Sequence, residues 1–489
     1  MKRFFRRYPC TFFSVFPLAV LWLGLPAAGQ ALLSAPVVAK LYGLRGVSQS
    51  RVEPGESVWV WGVGLGKMEV ELVQAAETEA GTNQPPSAGF VMQSPGQAAW
   101  YDKDYVRIVR FDRPGRYVLR LPKTTRRLAE GLHHELTVEV IPDVAREDLV
   151  FAPGLHVLKT PIVLRPATRV VAYGATFDAG GGPLFVMAPD CRIEGGTYRN
   201  FSQIGARGDG RDLLIRHATF VDGKLGHTWP LRGLELTECL FDRTSLNLHD
   251  ATGVFVHRCR FTGVSPGHPI HVLKAEGLAL VENLFDATDR GLVYQPRQGS
   301  VTNTFNYRNR FRNIDMVSNG NEVLLIEGGK YEFRHNLDMH SRITECSNSS
   351  VSLWGAWATN NLWVGLVHDG PAGIFCFPDG KGDGDTEQTG NVWVGCEIVG
   401  GLFFGPRTVD NLFIGGIVSA SVRPTLNGRH IKRVMGHERG ALVRSRGVGN
   451  RVIRCLLIPA AGQPTAERVL LIESEVHIHT GPHDGSISP

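Results

Sequence analysis

Residues 212–220 read Asp-Leu-Leu-Ile-Arg-His-Ala-Thr-Phe, and residues 233–241 read Gly-Leu-Glu-Leu-Thr-Glu-Cys-Leu-Phe. The pattern returns at residues 253–261 and 277–285, and an earlier copy ends at Tyr198. Its closing aromatic residues follow one another at intervals of 20 to 24 residues. The units are β-branched and aromatic residues broken by Gly and Asn, without a helical stripe. Such a repeat predicts a parallel β-solenoid rather than leucine-rich repeats.

Equivalent residues of successive solenoid turns stack about 4.8 Å apart, so the aromatic residues should form an internal ladder. Its predicted members are Phe220, Phe241, Phe261 and Phe285. Cys239 and Cys259 share a column, which allows either a disulfide or two stacked, buried thiols. Later units begin with Asn at positions 361, 391, 411 and 450. We interpret these Asn residues as tight corners, because Asn tolerates left-handed backbone.

Before the repeats, residues 37–141 alternate apolar and polar residues in short runs between Pro and Gly turns. This pattern predicts an antiparallel β-sandwich. Its stretch Glu53-Pro-Gly-Glu-Ser-Val-Trp-Val-Trp-Gly62 resembles the opening strands of immunoglobulin-like IPT/TIG modules. We expect the sandwich to cap or flank the first turn of a solenoid at residues 148–480, since an uncapped end exposes strand edges.

Residues 1–30 have the order of a secretory signal peptide, with a basic head, an apolar run from Phe12 to Leu25 and small residues at positions 27–29. An uncleaved anchor is the alternative. The basic head contains Lys2, Arg3, Arg6 and Arg7, so removing it lowers the formal net charge from +5 to +1. The basic pI is therefore no argument for a nucleic-acid partner. The rest of the sequence has no membrane span, and the protein is expected to be extracellular, periplasmic or on the cell surface.

The ladders and the entry Phe151-Ala-Pro-Gly-Leu155 resemble the pectin lyase-like right-handed parallel β-helix superfamily over residues 148–480. The resemblance implies an all-β, right-handed parallel β-helix and a polysaccharide partner. It does not imply one reaction, because the scaffold carries lyases, hydrolases, epimerases and phage tailspikes. The acidic and Gly-His-Gly motifs of the polygalacturonase-type hydrolases are missing.

Three short stretches are similar to polysaccharide lyase family six: Val272-Leu-Lys274, Asn283-Leu-Phe285 and Gly291-Leu-Val-Tyr-Gln295. This resemblance implies that Lys274 is the general base. Two positions depart from the family pattern. The family's arginine aligns with Gln295, whereas Arg297 lies two residues further on, and its calcium-binding glutamate aligns with Pro269.

Aligning the repeats on Gly253 and Gly277 predicts a polar patch on the outer face of three turns. The predicted patch contains Asn247, His249, Asp250, His271, Lys274, Tyr294, Gln295 and Arg297. Cleaving a uronic-acid polymer by β-elimination needs a group that neutralises the carboxylate, a base and an acid. Lys274 or His271 can be the base, Arg297 the neutralising group and Tyr294 the acid. The alternative is that Asp250 and Lys274 form an ordinary surface ion pair, which would make Lys274 a poor base.

A second polar group falls where residues 318–350 interrupt the repeat, an interruption typical of a loop that walls a groove. It contains Glu327, Arg334, His335, His340 and Arg342. Trp354 and Trp357 follow, and they can either stack on sugar rings or lie in the core. The carboxylates of Asp379, Asp383, Asp385 and Glu387 resemble a calcium loop in their spacing, but Lys381 occupies the third position of the EF-hand pattern. Calcium is thus the one cofactor considered, and a solvated turn is the alternative.

These observations favour an exported protein that acts on an acidic polysaccharide, with a lyase as the leading interpretation. A non-catalytic β-helix that binds glycans or serves as an adhesin is the first alternative. A glycoside hydrolase with Asp250 and Glu276 as paired carboxylates is the second.

Overall fold

The computed structural model describes residues 42–476 with internal gaps. The gaps are residues 76–104, 124–127, 129–131, 142–145, 207–209, 227–229, 265–266, 315–323, 328–330, 345–348, 356, 369–371, 378–385, 421–424, 427–428 and 431–440. The predicted signal peptide therefore lies outside the described residues. Within them, no helix has the length and apolar character needed to cross a membrane.

Short strands form two small sheets in the N-terminal part of the chain. The first sheet contains, in spatial order, Gly43–Val47, Ser57–Val63 and Val106–Arg110. The second contains Arg51–Val52, Glu135–Val140, Gly115–Arg120 and Glu69–Ala75. A 3₁₀ turn at Leu65–Lys67 joins them. Apolar side chains of both sheets, among them Val60, Phe111 and Val138, are buried in one cluster. Pairing is antiparallel except between Arg51–Val52 and Glu135–Val140.

The remaining chain is a parallel β-solenoid, in which each turn adds strands to two long ladders. The first ladder contains Glu147–Val150, Thr168–Val171, Arg192–Glu194, Gly210–Arg216, Leu231–Thr237, Ala251–Thr252, Phe255–His257, Ala275–Glu276, Ala279–Val281, Val301–Thr302, Phe305–Tyr307, Glu332–Arg334, Leu337–Met339, Trp357–Thr359, Leu362–Val364, Gln388–Thr389, Val392–Val394, Thr408–Val409, Leu412–Ile414, Arg451–Ile453 and Leu470–Ile472.

The second ladder forms the other long face. It contains Gly154–Val157, Ala175–Asp178, Thr197–Arg199, Thr219–Leu225, Leu240–Leu248, Arg260–Thr262, Ile270–Val272, Leu284–Asp286, Leu292–Tyr294, Arg310–Arg312, Leu324–Glu327, Arg342–Thr344, Ser349–Trp354, Val367–His368, Ala372–Phe377, Glu397–Val399, Leu402–Phe404, Ile417–Ser419, Val443–Ser445, Leu456–Ile458, Ala466–Glu467 and Glu475–Val476. A short third sheet contains Ile162–Val163, Phe185–Met187 and Gly205–Ala206, and a hairpin pairs Thr425–Leu426 with Arg429–His430. The predicted fold class, an all-β chain with small antiparallel sheets before a parallel solenoid, is confirmed.

The predicted aromatic ladder is present inside the solenoid. The ring centroids of Phe220 and Phe241 are 5.2 Å apart, those of Phe241 and Phe261 4.6 Å, and those of Phe261 and Phe285 5.0 Å. All four side chains are completely buried. The stack continues to Phe311. Strand pairing puts each of these residues directly opposite its equivalent in the next turn. One sequence repeat therefore corresponds to one turn of the solenoid, and this correspondence stacks the rings.

The Asn-rich units have a different role from the predicted one. The left-handed backbone belongs to the preceding residues, such as Asn360 with φ 54° and Asp410 with φ 52°. The Asn side chains instead hydrogen-bond along the solenoid axis. Nδ2 of Asn361 donates to Oδ1 of Asn391 at 2.8 Å, and Asn391 donates to Asn411 at 3.0 Å. Each Oδ1 also accepts a buried backbone N–H, for example that of Asn361. The ladder therefore satisfies polar groups that the corner takes out of water.

The two cysteines that share a column are stacked thiols rather than a disulfide. Cys239 and Cys259 are both buried and free. Burial and the neighbouring Cys239 raise the pKa of the Cys259 thiol. These residues fill the core as small apolar groups, which makes them poor nucleophiles.

The N-terminal sheets lie along the side of the solenoid rather than over its end. Glu56 forms an ion pair with Arg192, and Trp59 stacks on Phe255 with centroids 5.1 Å apart. Further along, Nη1 of the buried Arg45 donates to the carbonyl oxygen of His335 at 2.7 Å. The contacts thus extend across many turns.

An inward column of the first ladder contains two polar side chains. In the column Val256, Leu280, Asn306, Asp338 and Trp363, the two polar residues occupy positions that are apolar in the turns before and after them. Asp338 and Asn306 line a cavity of about 10 Å³, which is space for at most one water molecule. Burial raises the pKa of Asp338 to about 7, although the nearby Ser341 and Asn306 side chains act in the opposite direction.

Replacing one ring of the aromatic ladder should leave a cavity that the rigid turns cannot close. We expect Phe241→Ala to lower the free energy of unfolding by about 3–5 kcal/mol. Denaturant unfolding followed by circular dichroism measures this loss. Thr262→Ala is the control, because this half-buried residue points outward on the adjacent strand and its replacement should change stability little. A loss below about 1 kcal/mol for Phe241→Ala would show that the ladder can repack.

The buried Asp338 should make the protein less stable as the pH rises. Its pKa is about 7 in the folded chain and about 3.9 in an unfolded chain. The folded state therefore holds more protons between these values, and stability falls from pH 4 to pH 7. Asp338→Asn should remove this fall, which urea unfolding at pH 5 and pH 8 would detect. Asp222→Asn is the control, because Arg243 holds the pKa of Asp222 below its usual range and the carboxylate stays ionised at both pH values. An unchanged pH dependence in Asp338→Asn would contradict the assignment.

Candidate functional site

Two neighbouring strands place polar side chains on the outer face of the second ladder. In the strands Leu240–Leu248 and Ile270–Val272, Asn247 lies opposite His271, as the repeat alignment predicts. Strand alternation turns these two side chains outward while Leu248 and Val272 enter the core. Nδ2 of Asn247 donates to Oγ of Ser245 at 3.0 Å, which orients its amide.

His271 is the central residue of this face. Its Nε2 is 2.8 Å from Oε1 of Gln295, so the ring is held with Nε2 as donor when the imidazole is neutral. Burial lowers the pKa of His271, the bond to Gln295 opposes that shift, and the positive charges of Arg297 and Arg290 lower it further. The ring is therefore neutral at neutral pH and keeps Nδ1 as a second nitrogen that can accept a proton.

A second histidine borders the first. The ring centroids of His268 and His271 are 5.1 Å apart in an edge-to-face arrangement. Burial lowers the pKa of His268 to about 3, with smaller contributions from Arg290 and His271. The outer face thus combines two neutral imidazoles with two guanidinium groups. We refer to His268, His271, Gln295, Arg290 and Arg297 as the histidine site.

Asp250 and Lys274 meet as the alignment predicts, but they form an ion pair. Nζ of Lys274 is 3.2 Å from Oδ2 of Asp250, and Arg232 approaches the same carboxylate with two nitrogens at 3.2 Å. The pKa of Asp250 is lowered: burial raises it, and the bonds to Arg232 and Lys274 outweigh that effect. A lysine whose side chain is committed to an ion pair with a carboxylate is a poor base. His271 is therefore the better base of the two predicted candidates.

The prediction that Tyr294 protonates the leaving group is wrong. Its side chain is completely buried, and its hydroxyl donates to Oδ1 of Asn306 at 3.2 Å inside the solenoid. Burial also raises the pKa of Tyr294 well above its usual value. The physical reason is alternation: Tyr294 lies opposite Val272, an inward position, whereas the outward position of that strand is Val293, opposite His271.

The other predicted patch residues keep to the outer side. Gln295 is buried and holds His271, and Arg297 is exposed. His249 is half-buried directly after the strand that carries Asn247. Sequence reasoning gave no role to His268, Arg290 or Arg232. The spacing of His268 and His271, three residues apart around a proline, was the available signal for the first of them.

The second predicted group does not form one cluster. His335 and His340 are corner residues with φ 57° and 56°, at the two ends of the strand Leu337–Met339. Arg334 forms an ion pair with Glu332 at 3.0 Å, and Trp357 is half-buried. Arg342 is exposed on a strand of the second ladder. The corners separate these residues onto different faces. The side chains of Glu327 and Trp354 lie outside the described part of the structure.

Of the four carboxylates in the predicted calcium loop, Glu387 lies in the described part of the chain. Asp379, Asp383 and Asp385 lie outside the described residues. Glu387 is exposed, and its carboxylate accepts a hydrogen bond from the hydroxyl of Thr389. Among the residues that the structure describes, no group of three or more His, Cys, Asp and Glu side chains is arranged to hold a metal ion.

No protein-family model matches the chain, and no curated protein matches it significantly. Solved structures that align with it include tailspike protein 3 of bacteriophage CBA120, at 10% identity and a TM-score of 0.27 over 69% of this chain and 57% of the tailspike. The chain thus spans little more than half of the tailspike's length.

Two further solved structures align at similar levels. The periplasmic alginate epimerase AlgG has 12% identity and a TM-score of 0.26, covering 67% of this chain and 79% of its own. The catalytic domain of a GH87 α-1,3-glucanase has 10% identity and a TM-score of 0.21, covering 77% and 72%. TM-scores this low carry no site or activity from these proteins to the present chain.

Proposed function

We propose that this protein is an exported enzyme that cleaves an acidic polysaccharide by β-elimination at the histidine site. The observation that carries the proposal is the neutral imidazole of His271, fixed through Nε2 by Gln295 and bordered by Arg290 and Arg297. A base must be unprotonated and rigidly placed, and a uronate must have its carboxylate neutralised before its α-proton becomes acidic. This one site combines both requirements.

In the proposed step, a guanidinium group of Arg297 or Arg290 binds the uronate carboxylate. Nδ1 of His271 takes the proton on the carbon next to the carboxylate, and the electron pair forms a carbon–carbon double bond while the glycosidic carbon–oxygen bond breaks. The leaving oxygen then needs a proton. The imidazolium of His271 that forms in this step can supply it in place of Tyr294, because Lys274 is committed to Asp250.

A glycan-binding protein without catalysis is the second candidate. It is favoured by the commitment of Lys274 to an ion pair and of Tyr294 to the core. The carboxylate-pair hydrolase is less well supported, because a general acid needs a raised pKa and that of Asp250 is lowered. Membership in the pectin lyase-like superfamily, the IPT/TIG likeness of the N-terminal sheets and export through residues 1–30 remain part of the proposal.

Replacing the base tests the reaction directly. We expect His271→Ala to reduce the formation of unsaturated product by about a hundredfold or more, followed by ultraviolet absorbance on a panel of uronate polymers. His217→Ala is the control, since His217 is a half-exposed corner histidine of the same solenoid, paired with Glu238. Polymer binding without product in the wild-type protein would favour the glycan-binding candidate.

The pH profile gives a test that a purely structural role would not pass. Because the pKa of His271 lies below its usual value, the rate should already be independent of pH around neutrality and fall only in acid. Gln295→Glu would place a carboxylate against Nε2 and favour the imidazolium, so the acid limb should move to higher pH. If the acid limb of the pH–rate profile does not move in a folded Gln295→Glu variant, His271 is excluded as the base.

A further inference from the structure

Four arginines lie on the outer face of neighbouring strands of the second ladder, on a different strand of each turn from His271. In Arg260–Thr262, Leu284–Asp286, Arg310–Arg312 and Arg342–Thr344, the middle residue is buried and the flanking residues point outward. The arginine strip is defined as Arg260, Arg310, Arg312 and Arg342. Asp286 is the only carboxylate within these four strands.

Asp286 neutralises one end of the strip. Its Oδ2 is 3.2 Å from Nη2 of Arg260 and 2.7 Å from Nη2 of Arg312, so one oxygen joins two turns. Nδ2 of Asn313 donates to Oδ1 at 3.1 Å. These bonds use the accessible lone pairs of a carboxylate that is itself largely buried. The ion pairs of Asp286 are therefore with Arg260 and Arg312, not with Arg310 or Arg342.

Arg310 and Arg342 are register partners in adjacent turns, and both are exposed. Across the described residues, neither guanidinium group forms an ion pair. Several other outward arginines of the solenoid face a carboxylate of a neighbouring turn, as Arg199 does with Asp178 at 2.9 Å and Arg243 with Asp222 at 2.6 Å. Placing two like charges directly opposite each other costs stability, and no carboxylate among the described residues is paired with either arginine.

We propose that the arginine strip binds the anionic groups of an acidic polysaccharide, at a surface separate from the histidine site. The guanidinium fork binds carboxylates and sulfates through two parallel hydrogen bonds. The strip runs along the solenoid axis over three steps between turns, about 14 Å in all, which suits a repeating polymer better than a single ion. A nucleic acid is less suitable, because its bases need aromatic stacking partners and these outward positions carry none.

The test uses the full-length mature protein and three named polymers: polygalacturonate, dextran sulfate and neutral dextran. We expect the double variant Arg310→Gln and Arg342→Gln to bind polygalacturonate or dextran sulfate about tenfold more weakly at low ionic strength. The difference should shrink as salt is added. The control is Arg113→Gln with Arg116→Gln, which removes the same charge from exposed positions in the N-terminal sheets. Thermal unfolding checks that each variant is folded.

An equal loss in the control variant would overturn the proposal, as would wild-type binding of neutral dextran with the same affinity. Single-stranded DNA that binds as tightly and with the same dependence on Arg310 and Arg342 would also overturn it. His271→Ala separates this proposal from the proposed function. If His271→Ala loses product formation and keeps its affinity for polygalacturonate, both proposals are supported. If only the arginine double variant behaves as expected, the proposed lyase reaction is wrong and the binding role of the arginine strip remains.

Discussion

The whole structure depends on the backbone hydrogen bonds that hold each turn in register with the next. Once Phe220 lies opposite Phe241, every neighbouring position is also matched to its equivalent, and each column of the solenoid then has to be filled with compatible side chains. Apolar columns become the aromatic ladder, and the corner column becomes the ladder of Asn361, Asn391 and Asn411. A shift of one residue in the strand pairing would move the side chains of both ladders from the core to the outer face. Packing and hydrogen bonding therefore favour the same register.

The same register decides which residues are available for chemistry. His271 and Val272 are neighbours in sequence, yet one faces solvent and the other the core, and Tyr294 follows Val272 into the interior. The polar residues therefore divide into two sets that do not meet. The outer set contains a neutral base beside arginines, and the inner set contains Tyr294, Asn306 and Asp338 around a small cavity.

Sequence periodicity predicts which residues stack in one column of the solenoid. It does not predict the hydrogen-bond and ion-pair partners of individual side chains. The intervals between aromatic residues predicted the ladder and the pairing of Asn247 with His271, because both follow from register alone. Tyr294 lies beyond the aligned strands, where the spacing alone does not distinguish an outward position from an inward one. The bond from His271 to Gln295 and the second cation on Asp250, Arg232, depend on side-chain conformations that no spacing encodes. The separation of Arg334 from Arg342 by the corners at His335 and His340 likewise follows only from the path of the backbone.

A solenoid also makes unbalanced charge easier to recognise than a globular fold does. Each outward residue has a defined neighbour one turn away, so a favourable column alternates opposite charges, as Asp178 and Arg199 do. When adjacent turns carry Arg310 and Arg342 instead, no local rearrangement can separate their backbones, because the inner residues Phe311 and Ile343 are paired and buried beneath them. No carboxylate among the described residues is paired with them to offset the repulsion between these two side chains. A bound polyanion offsets the repulsion between the two arginines without any change in the fold. A polymeric ligand on this strip would lie along the solenoid axis.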